Sequence, residues 1–181
     1  MHNRALVTGA GIRLGRALAL RLAEQGYDVA VHFNSSADDA KAVVAEIETL
    51  GRRACALQAD LLDETATQAL VGRAANALGG PLNCLVNNAS IFEHDTLQSA
   101  TRASWDRHVE ANLRAPFVLI QNFAAQVPAA AKDENGETRA GALIVNMLDQ
   151  RVKKLTPEFM SYTIAKMALW TLTRTAAQAL A

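Results

Sequence analysis

The sequence is poor in the residues that build metal centres and disulfide frameworks. It has two cysteines, Cys55 and Cys84, which lie far apart inside predicted strands, and four scattered histidines. Neither set has the spacing of metal ligands, and two isolated cysteines are most simply interpreted as buried thiols in a reducing compartment. We therefore expect no metal and no disulfide.

An excess of charge and a long apolar run are absent as well. Eighteen basic and eighteen acidic side chains balance, so no overall field attracts nucleic acid or an anionic membrane. No apolar run reaches the roughly 20 residues that span a bilayer. Met1 is followed almost at once by the first predicted strand, so we expect no signal peptide. The 181 residues predict one cytoplasmic domain, residues 1–181, without nucleic-acid or membrane partners.

What the sequence does have is a regular alternation of strand and helix patterns. Apolar, β-branched segments predict strands near residues 4–8, 28–33, 53–58, 82–87 and 141–147. The segments between and after them predict helices near residues 12–25, 36–50, 64–78, 104–126 and 159–180. This alternation predicts an α/β fold with a Rossmann-like, doubly wound parallel sheet in three α/β/α layers. Residues 128–141 have linker composition and predict a long surface loop.

A glycine-rich turn joins the first predicted strand to the first predicted helix. The turn contains Gly9, Gly11 and Gly15, and Gly26 is placed to cap the end of the helix. Such a turn lets the backbone approach a diphosphate closely, while the first amides and the dipole of the helix favour an anion. Glycines alone are weak evidence, but glycines between a strand and a helix predict a dinucleotide site.

Tyr162 and Lys166 lie four residues apart in a stretch of strong helix formers, so they share one helical face. A cation held close to a phenol favours the phenolate, so we expect Lys166 to lower the pKa of Tyr162 from ~10 toward neutrality. The pair alone would also fit a core tyrosine and a solvated lysine. Together with the dinucleotide turn it predicts a proton donor.

These motifs, taken in order along the whole chain, resemble the short-chain dehydrogenase/reductase family. Thr8 to Gly15 match its cofactor loop, Asp60 and Leu61 its adenine contact, Asn87 to Ser90 its loop after the fourth strand, Asn112 its helix asparagine, and Tyr162 with Lys166 its catalytic pair. The resemblance implies cofactor contacts at Thr8, Gly9, Gly11, Ile12, Arg13, Leu14, Gly15, Asp60, Leu61, Asn88, Ala89, Ser90, Tyr162 and Lys166.

The same resemblance implies catalytic roles. Tyr162 would supply a proton, Lys166 would hold the nicotinamide ribose, and Asn112 would position a proton-relay water. An asparagine in a helix could equally be a solvated surface residue.

Two departures from the family pattern narrow the resemblance. Arg13 stands where most members carry a glycine, and Asp149 stands thirteen positions before Tyr162, where most carry the catalytic serine. Both departures resemble the pteridine reductases, as does Phe92 after the Asn-Ala-Ser segment. The resemblance implies catalysis by Asp149 and a substrate site at Arg13, Ser90, Phe92, Asp149 and Tyr162. A carboxyl group can pair with ring nitrogens, and an aromatic ring can stack on a flat substrate, although Phe92 could also be a core residue.

The end of the second predicted strand carries no carboxylate. NAD-selective folds place an acid there to bind the ribose hydroxyls. Asn34, Ser35 and Ser36 can instead donate to phosphate oxygens, and Arg13 adds a cation nearby. The sequence therefore predicts NADP(H) rather than NAD(H). Ser36 followed by Asp39 also predicts a variant capping box.

The prediction is thus an NADPH-dependent reductase whose small-molecule substrate is a pterin or dihydrofolate-like ring. Two alternatives stay open: a carbonyl reductase of the same family, acting on a ketone or 3-oxoacyl substrate, and a dinucleotide-binding sensor without chemistry. Asp149 and Phe92 argue against the first, and Tyr162, Lys166, Asn112 and Asp149 together argue against the second.

Two further expectations concern the whole protein. The apolar positions Leu113, Phe117, Val118, Ile120 and Phe123 on one helix, with Met167, Leu169, Trp170 and Leu172 on another, predict a homodimer or homotetramer. In the family that the sequence resembles, two further strands and a substrate lid follow the helix that carries the Tyr/Lys pair. The sequence stops at this helix, so we expect this chain to lack them.

Overall fold

The computed structural model describes residues 3–180, in which five strands form one parallel sheet. The strands are β1 (Arg4–Val7), β2 (Asp28–Phe33), β3 (Ala54–Gln58), β4 (Cys84–Asn87) and β5 (Leu143–Asn146), in the spatial order β3-β2-β1-β4-β5. The winding direction reverses between β1 and β4. A ligand crevice is therefore expected at the carboxyl ends of these two strands, and the predicted Rossmann-like α/β fold is confirmed.

Helices cover both faces of the sheet. They are α1 (Arg13–Glu24), α2 (Ala37–Thr49), α3 (Glu64–Leu78), α4 (Arg102–Val109), α5 (Ala115–Gln126) and α6 (Met160–Ala179). Alternate strand residues point to opposite faces: Ala5 and Val7 pack in the core under α1 and α2, while Leu6 packs in the core under α3 and α5. Because both faces are buried, the strands are apolar throughout rather than alternating.

The structure differs from the sequence prediction at the helix predicted over residues 104–126. It begins at Arg102, where Thr101 and Ser104 form a reciprocal capping box. It is then interrupted by a π turn, Glu110–Arg114, which separates α4 from α5. The other nine predicted elements are present, with bounds shifted by a few residues.

The capping box predicted at Ser36 is wrong. Ser36 does precede α2, but its side chain makes no capping hydrogen bond. Its backbone, with ψ of 60°, lies outside the extended conformation in which a serine hydroxyl reaches the amides of the first turn. The side chain lines the ligand crevice instead.

Fewer apolar side chains are exposed on the long helices than the sequence indicates. Val118, Ile120 and Phe123 are buried in the chain's own core, as is Leu169, while Phe117 is 37% exposed. The apolar surface available to a twofold partner is correspondingly smaller. Assembly into a homodimer or homotetramer stays a prediction.

The predicted surface loop is present, and both thiols are at least half-buried. Residues 128–142 form a loop with one antiparallel bridge, between Lys132 and Thr138. Cys84 is buried and Cys55 half-buried, and burial raises the pKa of each thiol to about 11. Within residues 3–180, no helix is long and apolar enough to cross a bilayer. In the same range no cluster of three His, Cys, Asp or Glu side chains is arranged to hold a metal ion.

Candidate active site

A cleft of about 610 Å³ opens at the carboxyl ends of the strands, where the sheet order reverses. This volume is in the range of ligand sites. Most of the residues predicted to contact a cofactor line it: Gly9, Ile12, Arg13, Leu14, Gly15, Asn34, Ser35, Ser36, Asp60, Leu61, Asn88, Ala89 and Ser90. Thr8, Gly11, Tyr162 and Lys166 lie outside its lining.

The loop after β1 has the close backbone packing of an anion cradle. Gly9 has a φ of +61°, and a Cβ added at Gly15 would lie 2.0 Å from the carbonyl oxygen of Gly9. Arg13, the first residue of α1, has a φ of +53°, a conformation that glycine adopts easily and other residues rarely do. A glycine, which the family resemblance implies at this position, would adopt the conformation without strain. The loop leaves the first amides of α1 beside the cleft, where a diphosphate would fit.

The loops after β1 and β4 are held together by hydrogen bonds. The hydroxyl oxygen of Thr8 accepts from the backbone amides of Asn88 at 2.9 Å and Ala89 at 3.0 Å. The side-chain amide of Asn88 donates to the carbonyl oxygens of Thr8 at 2.9 Å and Gly9 at 3.2 Å. Thr8 therefore acts behind the cleft, by fixing its two walls to each other.

His32 is a cleft residue that the sequence did not reveal. Its Nδ1 accepts from the backbone amide of Gly9 at 3.1 Å, so Nε2 carries the proton and donates to the carbonyl oxygen of Ala59 at 3.1 Å. Burial lowers the pKa of His32 to about 4, which keeps the imidazole neutral. The ring extends from β2 and joins the loops after β1 and β3. A single histidine in an apolar strand gave no signal of this role.

Tyr162 lies in the first turn of α6, and its hydroxyl faces a carboxylate. Tyr162 Oη donates to Asp149 Oδ2 at 3.1 Å. Burial, and then the charge and hydrogen bond of Asp149, raise the pKa of Tyr162 to about 12, while the Ser90 side chain acts in the opposite direction. The prediction that Lys166 lowers this pKa toward neutrality is therefore wrong for this structure. The phenol is protonated at neutral pH.

Lys166 faces a carbonyl rather than the phenol oxygen. Its Nζ donates to the carbonyl oxygen of Met147 at 2.8 Å and lies 5.8 Å from the centroid of the Tyr162 ring. The side chain is buried, and burial lowers the pKa of Lys166 to about 8, partly opposed by the charge of Asp149. Asp149 is thus the charged group that dominates the environment of Tyr162.

Asn112 lies in the π turn and is fully buried. Its Oδ1 accepts from the Ser90 hydroxyl at 2.8 Å and from the Ile91 amide at 3.0 Å, and its Nδ2 donates to the Ile91 carbonyl at 2.9 Å. These bonds hold the loop after β4. The alternative of a solvated surface residue is wrong, and the positioning of a relay water stays a prediction.

Phe92 belongs to an aromatic pair beside Tyr162. Its ring stacks on that of Phe159, with centroids 4.2 Å apart and planes 7° apart, and meets the Tyr162 ring edge-on at 4.7 Å. The side chain is 52% exposed, so Phe92 is not a core residue. The guanidinium of Arg151 lies over the pair, 4.8 Å from the Phe159 centroid and 5.4 Å from that of Phe92.

A buried polar network anchors the start of α6. The Ser161 hydroxyl and amide both donate to the carboxylate of Asp95. His108 Nε2 accepts from the Glu93 amide at 3.1 Å, so its Nδ1 carries the proton and donates to the Ser161 hydroxyl at 2.9 Å. Burial favours a higher pKa for Asp95, but the hydrogen bonds of Ser161 outweigh it and hold the pKa below its usual value. These residues are far apart in sequence, so no motif indicated them.

Comparison with known proteins identifies the family. The sequence pattern of the short chain dehydrogenases matches residues 3–181. The 3-oxoacyl-[acyl-carrier-protein] reductase FabG of Staphylococcus epidermidis is 34% identical over 181 residues, which are 100% of this chain and 70% of the relative.

Solved structures agree with this match. FolM alternative dihydrofolate reductase 1 from Brucella suis, crystallised with NADP, is 41% identical with a TM-score of 0.89, over 99% of this chain and 70% of that one. A short chain dehydrogenase from Burkholderia cenocepacia in complex with NADP is 37% identical with a TM-score of 0.88, over 99% and 69%. Together with the parallel sheet and the glycine cradle, these matches show that the chain belongs to the short-chain dehydrogenase family of oxidoreductases.

Proposed function

We propose that the protein is an NADPH-dependent reductase of a pterin or dihydrofolate-like ring, with Tyr162 as the proton donor. The observation that carries the proposal is the 3.1 Å contact between Tyr162 and Asp149. A serine in place of Asp149 would orient one carbonyl oxygen, whereas a carboxylate beside a phenol offers both an acceptor and a donor to a nitrogen heterocycle. The 41% identity to a protein named as an alternative dihydrofolate reductase supports the same substrate class.

The cleft fits the cofactor NADP(H). The backbone cradle at Gly9 and Gly15 and the start of α1 would hold the diphosphate, and Ser35 and its neighbours would meet the adenosine phosphate without a repelling carboxylate. The relatives from Brucella suis and Burkholderia cenocepacia were crystallised with NADP, which supports this choice. When bound, NADPH supplies the hydride. A Ser35→Asp variant should bind NADH more tightly than NADPH, and tighter binding of NADH by the native protein in a fluorescence titration would contradict the proposal.

The chain's own residues manage the proton. With its pKa raised to about 12, the Tyr162 phenol carries its proton at neutral pH. It would give this proton to a ring nitrogen only as negative charge develops there and makes the nitrogen the stronger base. Asp149 accepts the hydrogen bond from this phenol, and a substrate nitrogen would take its place as the acceptor when the proton is transferred. Lys166 is positioned by Met147 beside the Tyr162 ring, where it would bind the nicotinamide ribose.

The decisive experiment measures NADPH oxidation with a dihydropterin, dihydrofolate and a panel of ketones that includes a 3-oxoacyl thioester. We expect turnover with the first two. Tyr162→Phe keeps the ring but removes the proton, so turnover should fall by a factor on the order of 10² to 10⁴ while NADPH affinity changes little. Near-native turnover of this variant would remove Tyr162 from its role.

Asp149→Ser tests the substrate class. We expect most pterin reduction to be lost and any weak ketone reduction to be kept or raised, because the hydroxyl restores the arrangement of ordinary carbonyl reductases. Asp149 Oδ1 also accepts from the Arg151 amide at 2.8 Å and so caps a short 3₁₀ turn, Gln150–Val152. If this cap were its only role, both activities and the melting temperature would fall together. Unchanged pterin turnover would defeat the assignment.

The second candidate is a 3-oxoacyl reductase, favoured by the 34% identity to FabG over the whole of this chain. It predicts turnover with the thioester and none with the pterins. A non-catalytic sensor predicts NADPH binding without turnover of any substrate. A single dinucleotide-binding domain over residues 1–181, a cytoplasmic location and a dimeric or tetrameric assembly stay predictions.

A further inference from the structure

Arg151 stands beside the proposed acid with unused hydrogen-bond donors. Its side chain is 17% exposed, and its Nε is buried without a hydrogen-bond partner. Among residues 3–180 its one ion pair, from Nη1 to Asp149 Oδ1, is 3.5 Å long, which is too long for a strong hydrogen bond. The guanidinium carbon lies over the rings of Phe92 and Phe159, which offer no oxygen or nitrogen acceptor to its N–H groups.

The position of Arg151 relates these donors to the reaction. Tyr162 contacts one oxygen of the Asp149 carboxylate and Arg151 contacts the other. A bicyclic ring that receives a proton from Tyr162 is therefore within reach of the guanidinium. A buried donor left without a partner is costly, and a guanidinium is suited to planar acceptors such as a carboxylate or the edge of a heterocycle.

We infer that Arg151 determines substrate specificity by donating hydrogen bonds to an acceptor oxygen of a flat substrate that packs beside Phe92 and Phe159. The acceptor is either the carbonyl oxygen of the ring itself or a carboxylate attached to the ring through a side chain. The inference rests on the proposed function and adds to it a second polar contact, opposite the proton donor. Arg151 lies two residues after Asp149, where the sequence departs from the family pattern, and its guanidinium pairs with the Asp149 carboxylate.

The experiment compares two substrates and three variants. A dihydropterin without a carboxylate and dihydrofolate, whose glutamate tail carries two, are each assayed for turnover and for binding to the protein loaded with NADP⁺. Arg151→Met keeps the length and apolar contact of the side chain but removes its donors. Arg151→Lys keeps the charge but not the planar fork. Lys153→Met, at an exposed position next to the same turn, is the matched control for loss of a cation.

We expect Arg151→Met to raise KM and the dissociation constant by about 10- to 100-fold, with kcat and NADPH affinity changed much less. An equal effect on both substrates identifies the ring carbonyl, whereas an effect on dihydrofolate alone, partly rescued by Arg151→Lys, identifies the carboxylate. Lys153→Met should match the native protein.

The inference is overturned if Arg151→Met changes KM and binding by less than about twofold for both substrates. It is also overturned if kcat, NADPH affinity and melting temperature fall together with binding, which would indicate a purely structural role. Native protein that binds the pterins but does not reduce them would refute the proposed function and leave the binding test of Arg151 intact. Native protein that does not bind them at all would refute both.

Discussion

The protonation state of Tyr162 can be tested without cofactor or substrate. The chain has two tyrosines, so a Tyr27→Phe background leaves Tyr162 as its single phenol, and the ultraviolet absorbance of tyrosinate then follows that residue alone. We expect a titration midpoint near the pKa of about 12 that burial and Asp149 give to Tyr162. Free tyrosine, titrated in parallel, has its midpoint near ~10.

The contribution of Asp149 can be separated from that of burial. Asp149→Asn in the same background removes the negative charge but leaves the ring equally buried. Since burial is the largest single cause of the shift, the midpoint should fall but stay above that of free tyrosine. Asp39→Asn, at an exposed position on α2, should leave the midpoint unchanged.

The same shift determines how stability depends on pH. A pKa that is raised in the folded state contributes stability that is fully present below ~10, the value in the unfolded chain, and is lost as pH rises toward about 12. Circular dichroism at each pH checks that the fold persists during the titration. A midpoint at or below that of free tyrosine in folded protein would refute this reasoning and restore the lowering effect of Lys166.

Three further variants test other parts of the site. Gly15→Ala would place a Cβ 2.0 Å from a backbone carbonyl oxygen, so it should reduce the free energy of unfolding by about 3 kcal/mol and abolish NADPH binding. Gly72→Ala is the control, because open space surrounds Gly72, and it should be neutral or stabilising in denaturant melts. Lys166→Met should raise the melting temperature at pH 7. Burial lowers the pKa of Lys166 from 10.5 to about 8, so burying the charged ammonium costs at most about 3 kcal/mol of folding free energy. The gain should vanish above pH 10.5, where the lysine is neutral in both states, and a gain independent of pH would contradict the argument. Ser161→Ala would leave the carboxylate of Asp95 and the Nδ1 of His108 without their shared partner. It should lower the free energy of unfolding by about 2 kcal/mol and reduce kcat more than NADPH affinity. An unchanged melting curve would contradict this expectation.

The sheet and the cofactor cleft could be predicted because their signals are local in sequence. Strand residues buried on both faces give continuous apolar runs, and the turn at Gly9 and Gly15 needs glycines within seven residues. The sequence predicted parallel pairing with right-handed crossovers, but the strand order, which brings the loop containing Asn88 to the loop containing Gly9, is known only from the structure.

The environment of the acid could not be predicted because it depends on contacts between distant segments. Spacing placed Lys166 one turn from Tyr162, but it did not indicate that the Lys166 ammonium would bond to the carbonyl of Met147 while Asp149 took the phenol. The stack of Phe159 on Phe92 likewise joins residues 67 positions apart, in segments that no local pattern relates.

The π turn escaped prediction for a different reason. The buried positions His108, Asn112 and Ala115 keep the three- and four-residue spacing of an ordinary helix across it, so hydrophobic periodicity indicates one continuous helix. A π turn is recognised by its hydrogen-bond register, which the sequence does not display.

That turn also buffers the length of this segment. A π turn accommodates one residue more than an α-helical turn, so removing one residue there would leave an α-helical turn with the two helices still in phase, whereas removing one residue inside α5 would rotate everything that follows by about 100° around the helix axis. On one side of it α4 packs against α6, and on the other α5 packs against α3. The π turn therefore absorbs a change in chain length that α5 cannot, so deleting one residue of the turn other than Asn112 should be far less harmful than deleting one residue inside α5.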